Sequence, residues 1–206
     1  MPQTLPLSKD QGRSWVAKYH RAPPPSIDNI FPDPSADREL VLCLNRAVNY
    51  DLLLHKEHGP RANHWSLFWI VGTQRDPLPQ GRSRTIPIVR RIEINTERVW
   101  DATHGFVSQY VYWGPRTHTS AADVTTSDGV QAVFSLGTLS AAARRRLEEL
   151  AFDVPVFEFQ EGLVWNCQDW VRGVLEQAVE DELLEKDVCD EAVDKAAQVV
   201  PSTKGG

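Results

Sequence analysis

The sequence predicts an α+β fold in which an antiparallel β-sheet has helices packed on one side. Short apolar runs separated by turn residues fill the first two thirds of the chain, and helical periodicity begins only at Ser140. Consecutive strands that precede the helices are typical of an antiparallel sheet. The 206 residues, 41% of them hydrophobic, suffice for one core.

The chain divides into an arm, a domain and a tail. Residues 1–36 hold seven of the fourteen prolines, which predicts a Pro-rich N-terminal arm that lies over the domain. Residues 37–187 are predicted to form a single α+β domain of catalytic type. From Val188 onward the chain lacks large side chains, so 188–206 is predicted to be a flexible C-terminal tail. The expected anchors of the arm are Trp15, Ile30 and Phe31.

Six extended runs supply the predicted strands. The run 64–72, HWSLFWIVG, is bulky and β-branched and lies between turn formers, which indicates a central strand. In 86–95 the isoleucines fall at even positions, which indicates a half-buried strand with Glu93 on its solvated face. The other runs are 40–44, 98–103, 106–113 and 130–136.

Helices follow the strands. Ser140 is a candidate N-cap for the segment AAARRRLEELA, whose leucines face the core while Arg144 and its arginine neighbours are solvated. A short extended return is predicted at 154–159. The segment CQDWVRGVLEQAVEDELLEK then combines an apolar face with an acidic one, which indicates a long helix with Asn166 as its N-cap.

The composition narrows the classes of function. A net charge of -6 and a pI near 5.5 argue against a nucleic-acid-binding protein, which needs surplus Lys and Arg. No apolar run approaches the ~20 residues of a membrane span, so we expect a cytoplasmic chain without a transmembrane segment. The three cysteines lack CxxC spacing and indicate neither a disulfide framework nor a zinc ribbon. The oligomeric state is not predicted.

A cysteine and a histidine are the candidate catalytic residues. With Asn166 as N-cap, Cys167 occupies the first helical position, where free N–H groups and the helix dipole favour a thiolate, although a nearby Asp169 charge opposes it. A thiolate nucleophile needs a general base, and His64 opens the most apolar strand, where its ring could meet the start of the helix. The alternatives are a buried structural cysteine and a packed or solvated histidine.

Two short motifs resemble known enzymes. The segment HWSLF at 64–68 resembles the His-bearing strand of the lecithin retinol acyltransferase-like enzymes, and NCQDWV at 166–171 resembles their Asn-Cys helix start. The PPPDE-type isopeptidases are similar in the same way, and both groups are circularly permuted papain-like, with the His strand before the Cys helix. The whole chain also resembles a fungal family that combines an HW strand with an NCQDWV helix.

The resemblance implies a permuted papain-like fold and a thiol-dependent hydrolase or acyltransferase that acts on an ester, amide or isopeptide bond. Cys167 would be the nucleophile and His64 its base. A third residue would lie on a following strand, where Asp101 is the counterpart and His104 the competing candidate. An acidic residue there would orient the imidazole. No cofactor is implied.

The resemblance also places an oxyanion site at the start of the helix. The Cys167 backbone N–H would meet the oxyanion, with Asn166 and Gln168 beside it. The pair Gln168-Asp169 departs from the Glu-His of the acyltransferase-like enzymes. No hydrophobic C-terminal anchor follows the helix, which favours a soluble acyl or peptide substrate over a membrane lipid.

Two other interpretations stay open. A non-enzymatic domain with the same fold could use the arm or an aromatic surface to bind a protein partner. The spacing of His55, His58 and His64 offers three zinc ligands without a fourth, so no metal site is predicted.

Overall fold

The computed structural model describes residues 10–46, 59–77, 81–119, 130–157 and 165–200. Within these ranges the helices are α1 (Arg13–Lys18), α2 (Ala141–Asp153), α3 (Cys167–Glu180) and α4 (Lys186–Gln198). The strands are β1 (Arg38–Arg46), β2 (Asn63–Pro77), β3 (Ser83–Ile92), β4 (Ile94–Asp101), β5 (Gly105–Tyr112), β6 (Arg116–Thr119) and β7 (Val130–Leu139). A 3₁₀-helix at Gly59–Ala62 leads into β2.

The strands form two antiparallel sheets. The larger has the order β6-β3-β2-β1-β7, and β4 pairs with β5 in a separate two-stranded sheet. The predicted central strand is confirmed, since β2 lies in the middle of the larger sheet. Its alternate residues Trp65, Leu67 and Trp69 are fully buried and belong to the same core cluster as side chains of α2, α3 and α4. The predicted α+β class is therefore confirmed.

Helix α3 begins where the sequence predicts. The Asn166 side chain accepts from the Gln168 backbone N–H at 2.8 Å, and the Asp169 carboxylate accepts from the Asn166 N–H at 2.9 Å, which completes a capping box. Trp170 and Val174 are fully buried one turn apart and carry the apolar face of α3 into the core. These contacts hold Cys167 at the first position of the helix.

The described part of the N-terminal arm, residues 10–36, contains the short helix α1 and is bonded to the domain. The Gln11 side chain donates to the carbonyl groups of Phe152 and Val154 at 2.7 and 3.0 Å. The predicted anchor Phe31 packs against the core, whereas Ile30 is exposed. Buried polar bonds, more than large apolar side chains, therefore fix the arm.

Arg144 was predicted to be solvated, and that prediction is wrong. Its guanidinium is fully buried and pairs with Asp33 of the arm, with Nη2 to Oδ2 at 3.1 Å. It also donates to the Leu139 carbonyl at 2.8 Å and to the carbonyl groups of Pro34 and Ala36. A buried arginine is tolerated when its donors are satisfied in this way.

The flexible tail predicted at 188–206 is corrected over 188–198, because Lys186–Gln198 forms helix α4, and residues 201–206 lie outside the described residues. Its buried side chains are Cys189, Ala192, Val193 and Ala196, at the spacing of one helical face. Small side chains let α4 approach its neighbours closely. The absence of large apolar groups from this segment was therefore a poor indicator of disorder.

Other segments differ in detail. The predicted run 86–95 is divided at Glu93, where the chain leaves the larger sheet and enters the β4–β5 pair. Strand β6 was not predicted. At the expected return 154–159, residues 154–157 form no strand, and the remaining two lie outside the described residues. Among the described helices, none has both the length and the hydropathy that crossing a bilayer requires.

Candidate active site

The start of α3 meets the start of β2. The Cys167 side chain lies close enough to the His64 ring to raise its pKa, and the Cys167 sulfur is 3.9 Å from the Asn63 carbonyl oxygen. The Gln168 side-chain amide donates to the same carbonyl at 2.9 Å. The structure therefore brings together the cysteine and histidine that the sequence singled out.

The Nε2 atom of His64 is hydrogen-bonded to a buried carboxylate that the sequence did not indicate. His64 Nε2 donates to Glu93 Oε2 at 3.0 Å. Arg116 Nη2 donates to Glu93 Oε1 at 3.0 Å, and Arg91 Nη1 lies 3.6 Å from Oε2. Glu93 thus occupies the position relative to His64 that a third catalytic residue needs.

The charges in this cluster support one another. Burial lowers the pKa of His64, but the Cys167 and Glu93 side chains outweigh it and raise that pKa well above its usual value. Burial raises the pKa of Glu93, but Arg91, His64 and Arg116 together hold it far below the usual range. Glu93 is therefore ionised at neutral pH, and its charge favours the protonated form of His64.

The two residues expected at the third position lie elsewhere. Asp101 accepts from the Tyr19 hydroxyl at 3.0 Å and from the backbone N–H groups of Thr103 and His104 at 2.9 and 3.0 Å. Its other partner is the His104 ring, whose Nδ1 lies 3.0 Å away. Both residues stand at the turn between β4 and β5, and the carboxylate bonded to His64 is that of Glu93. The prediction of Asp101 or His104 is therefore corrected.

The sequence around Glu93 contains a feature that indicates an inward-pointing side chain. It stands between Ile92 and Ile94, both buried, and next to Arg91. Strict alternation assigns it to a solvated face, yet only 9% of the residue is exposed. The strand ends at this residue, so the alternation stops there. An acid enclosed by two core isoleucines and followed by a change of sheet can point inward.

The helix-start residues Asn166 and Gln168 serve mainly to fix the geometry. Both are about 2% exposed. The Gln168 backbone N–H is bonded to the Asn166 side chain, and the Gln168 side-chain amide is bonded to Asn63. Both groups secure the start of α3, so the expected oxyanion donor that remains is the Cys167 N–H.

The other thiols have different surroundings. Cys43 is fully buried on β1 opposite Ser66, and burial raises its pKa. Burial raises the pKa of Cys189 on α4 to about 11. No disulfide joins the three described cysteines. Both Cys43 and Cys189 are consequently poor nucleophiles near neutral pH.

The candidate zinc site of three histidines lies only partly within the described residues. His55 and His58 lie outside the described residues, and His64 uses its Nε2 for Glu93. Among the residues that the structure describes, no group of three metal-binding side chains occurs.

Comparison with known proteins yields no assignment. No family model, no curated protein and no solved structure matches the chain. Function is therefore inferred from the geometry of Cys167, His64 and Glu93.

Proposed function

We propose that the protein is a thiol-dependent hydrolase or acyltransferase of the permuted papain-like type. Its substrate would carry an ester, amide or isopeptide bond. One observation carries the proposal: a cysteine at a helix start adjoins a histidine whose Nε2 is bonded to a buried carboxylate. This is the arrangement of nucleophile, base and orienting group that acyl transfer requires.

The order of the motifs supports the same class. The His64 strand precedes the Cys167 helix, as it does in the permuted papain-like enzymes that the two motifs resemble. The helix packs on the strand that bears the histidine, so the two motifs meet in space as well as in order. The third residue in this chain would be Glu93.

In the first step the Cys167 sulfur attacks the carbonyl carbon of the substrate. A C–S bond forms, the carbonyl oxygen becomes an oxyanion near the Cys167 N–H, and the oxyanion collapses as the bond to the leaving alcohol or amine breaks. The His64 imidazolium gives its proton to the leaving group. The product of this step is a thioester on Cys167.

In the second step neutral His64 takes a proton from water, or from an acceptor alcohol or amine. The activated oxygen or nitrogen attacks the thioester carbon, the C–S bond breaks, and the thiolate and imidazolium are restored. Glu93 stays ionised throughout, orients the ring through Nε2 and stabilises the imidazolium. The cycle uses only side chains and a backbone N–H, and needs no cofactor.

The alternative, a non-enzymatic interaction domain, is favoured by one surface feature. Trp100 and Phe106 are paired across the β4–β5 sheet, stack edge to face at 5.0 Å, and are 65% and 61% exposed. Such a pair is a possible contact for a protein partner. It does not account for a cysteine and a buried carboxylate beside the same histidine.

Selective alkylation separates the two functions. At pH 7 we expect iodoacetamide to label Cys167 about tenfold or more faster than Cys43 or Cys189, as read by peptide mass spectrometry. His64→Gln should abolish this advantage, and the matched variant His104→Gln should retain it. Acyl and ubiquitin-like electrophilic probes then narrow the substrate class, with Cys167→Ala as the unreactive control. Equal labelling of all three thiols would refute the proposed enzyme.

A further inference from the structure

The first turn of α3 contains an acid at an unfavourable place for the nucleophile. Asp169 follows Cys167 by two residues and completes the capping box by accepting from the Asn166 N–H at 2.9 Å. The carboxylate stabilises the helix start, but its negative charge disfavours a second negative charge on the sulfur. A site built on a thiolate therefore needs a nearby positive charge to offset Asp169.

Arg61 supplies this charge in a fixed geometry. Its Nη1 and Nη2 donate to the two oxygens of Asp169 at 3.1 and 2.8 Å, and both side chains are about one third exposed. A guanidinium matches a carboxylate with two parallel bonds, which fixes orientation as well as distance. Arg61 lies in the last turn of the 3₁₀-helix Gly59–Ala62 that leads into β2, three residues before His64.

The same short segment contacts the helix start at two further points. The Asn166 side-chain amide donates to the Arg61 carbonyl at 3.4 Å, and the Gln168 amide donates to the Asn63 carbonyl at 2.9 Å. Residues 61–63 therefore bind the first turn of α3 directly before the chain reaches His64. The spacing between the sulfur and the imidazole is set through this segment.

We propose that Arg61 is a positioning residue of the cysteine site, which neutralises Asp169 beside the nucleophile and fixes the start of α3 against the His64 strand. This inference rests on the proposed function, because it assigns a role to a pair that flanks the same thiol. Arg61 acts through Asp169 and the helix start and does not itself contact the reacting atoms.

Other charged groups at the site come from several elements, and among the described residues Arg61 is the cation bonded to Asp169. On the β-sheet side His64 faces the sulfur and is itself neutralised by Glu93, while Arg91 and Arg116 neutralise Glu93. Among the other described groups, the Cys43 thiol on β1 interacts with His64, and the Arg172 guanidinium on α3 lies over the Trp65 ring.

The test is the pH dependence of the Cys167 alkylation rate in four proteins. These are the wild-type chain, Arg61→Gln, Asp169→Asn and the double variant. Because Asp169 follows the buried Cys167 by two residues in the same helical turn, leaving its charge uncompensated should move the profile by about half to one pH unit. Arg61→Gln should move it to higher pH, Asp169→Asn to lower pH, and the double variant should return it close to wild type.

Opposite shifts and their cancellation separate an electrostatic role from damage to the fold, which would slow all variants alike. Arg61→Lys keeps the charge but loses the two-point contact, so we expect an unshifted profile with a reduced rate. If Asp169→Asn and Arg61→Gln leave the profile in place, or if the double variant keeps the Arg61→Gln shift, the role of Arg61 is refuted. Slow labelling of wild-type Cys167 would refute the proposed function itself.

Discussion

Two histidine–carboxylate pairs in this protein have the same contact distance and different surroundings. His64 and Glu93 meet at 3.0 Å, and so do His104 and Asp101. The His64 side chain is 20% exposed, whereas that of His104 is 72% exposed. Distance alone therefore does not distinguish the candidate catalytic pair.

The distinction lies in what else each pair contacts. Glu93 is held by Arg91 and Arg116, and the nearby Cys167 side chain raises the pKa of its histidine partner. Asp101 is bonded mainly to backbone N–H groups and the Tyr19 hydroxyl, which lower its pKa to about 2. In the first pair the charges depend on one another, whereas in the second the carboxylate organises a turn.

The largest expected difference between the pairs is in thiol reactivity. Glu93→Gln removes the charge that stabilises the imidazolium and orients its ring, so we expect the Cys167 alkylation rate at pH 7 to fall about 10- to 100-fold. Asp101→Asn keeps a similar hydrogen-bonding shape far along the chain from the thiol, and we expect a rate within about twofold of wild type. Iodoacetamide labelling at a temperature where both variants are folded measures the two rates.

Circular dichroism of each variant is the control, because Glu93→Gln also leaves two arginines without their carboxylate. A folded Glu93→Gln protein with the wild-type rate would contradict the role of Glu93. A large loss in Asp101→Asn would restore Asp101 as the third residue.

The part of the site that could be predicted is the part determined by local sequence. An Asn-Cys pair before an amphipathic run marks a helix start, and a histidine before an apolar run marks a strand start. Cys167, His64 and Asn166 follow from such patterns. Glu93 does not, because its inward direction depends on the change of sheet between β3 and β4, which no local pattern reports.

The same dependence on local sequence separates the parts of the fold that were predicted from those that were not. The central strand β2 and the helix α3 are long and strongly patterned, and both were predicted. Helix α4 was missed because its buried face consists of small residues, whose contribution depends on how closely the helix can approach its neighbours. Arg144 was misplaced because its partners come from the arm and from chain carbonyls, which the periodicity of α2 does not reveal.

Protonation of Glu93 and of Asp101 by acid should lower the stability of the folded protein by unequal amounts. The Glu93 pKa lies below its unfolded value of 4.5, so its contribution to stability is present above that pH and is lost as the pH falls. Below pH 4.5 the unfolded chain binds a proton at Glu93 that the folded protein does not, and each pH unit then costs about 1.4 kcal/mol. The free energy of unfolding should therefore be about 2 kcal/mol lower at pH 3 than at pH 7 from this residue alone. Urea unfolding at pH 7 and pH 3 measures this loss.

Glu93→Gln should reduce the acid-induced loss, since the variant has no carboxylate to protonate at this position. Asp101→Asn should reduce it less, because Asp101 is exposed and screened by solvent. If the two variants lose equal stability between pH 7 and pH 3, protonation of buried Glu93 costs no more stability than protonation of exposed Asp101, and the prediction is wrong.

The smallest effect is expected at the contact between the arm and the turn. Tyr19→Phe removes one hydrogen bond, from the Tyr19 hydroxyl to Asp101 Oδ2 at 3.0 Å, and leaves the ring in place against Trp15. We expect the melting temperature to fall by about 1–3 °C, because a single partly exposed bond contributes little. The Cys167 alkylation rate should not change. A change in that rate would show that the exposed pair is coupled to the buried one through the arm and the β4–β5 sheet.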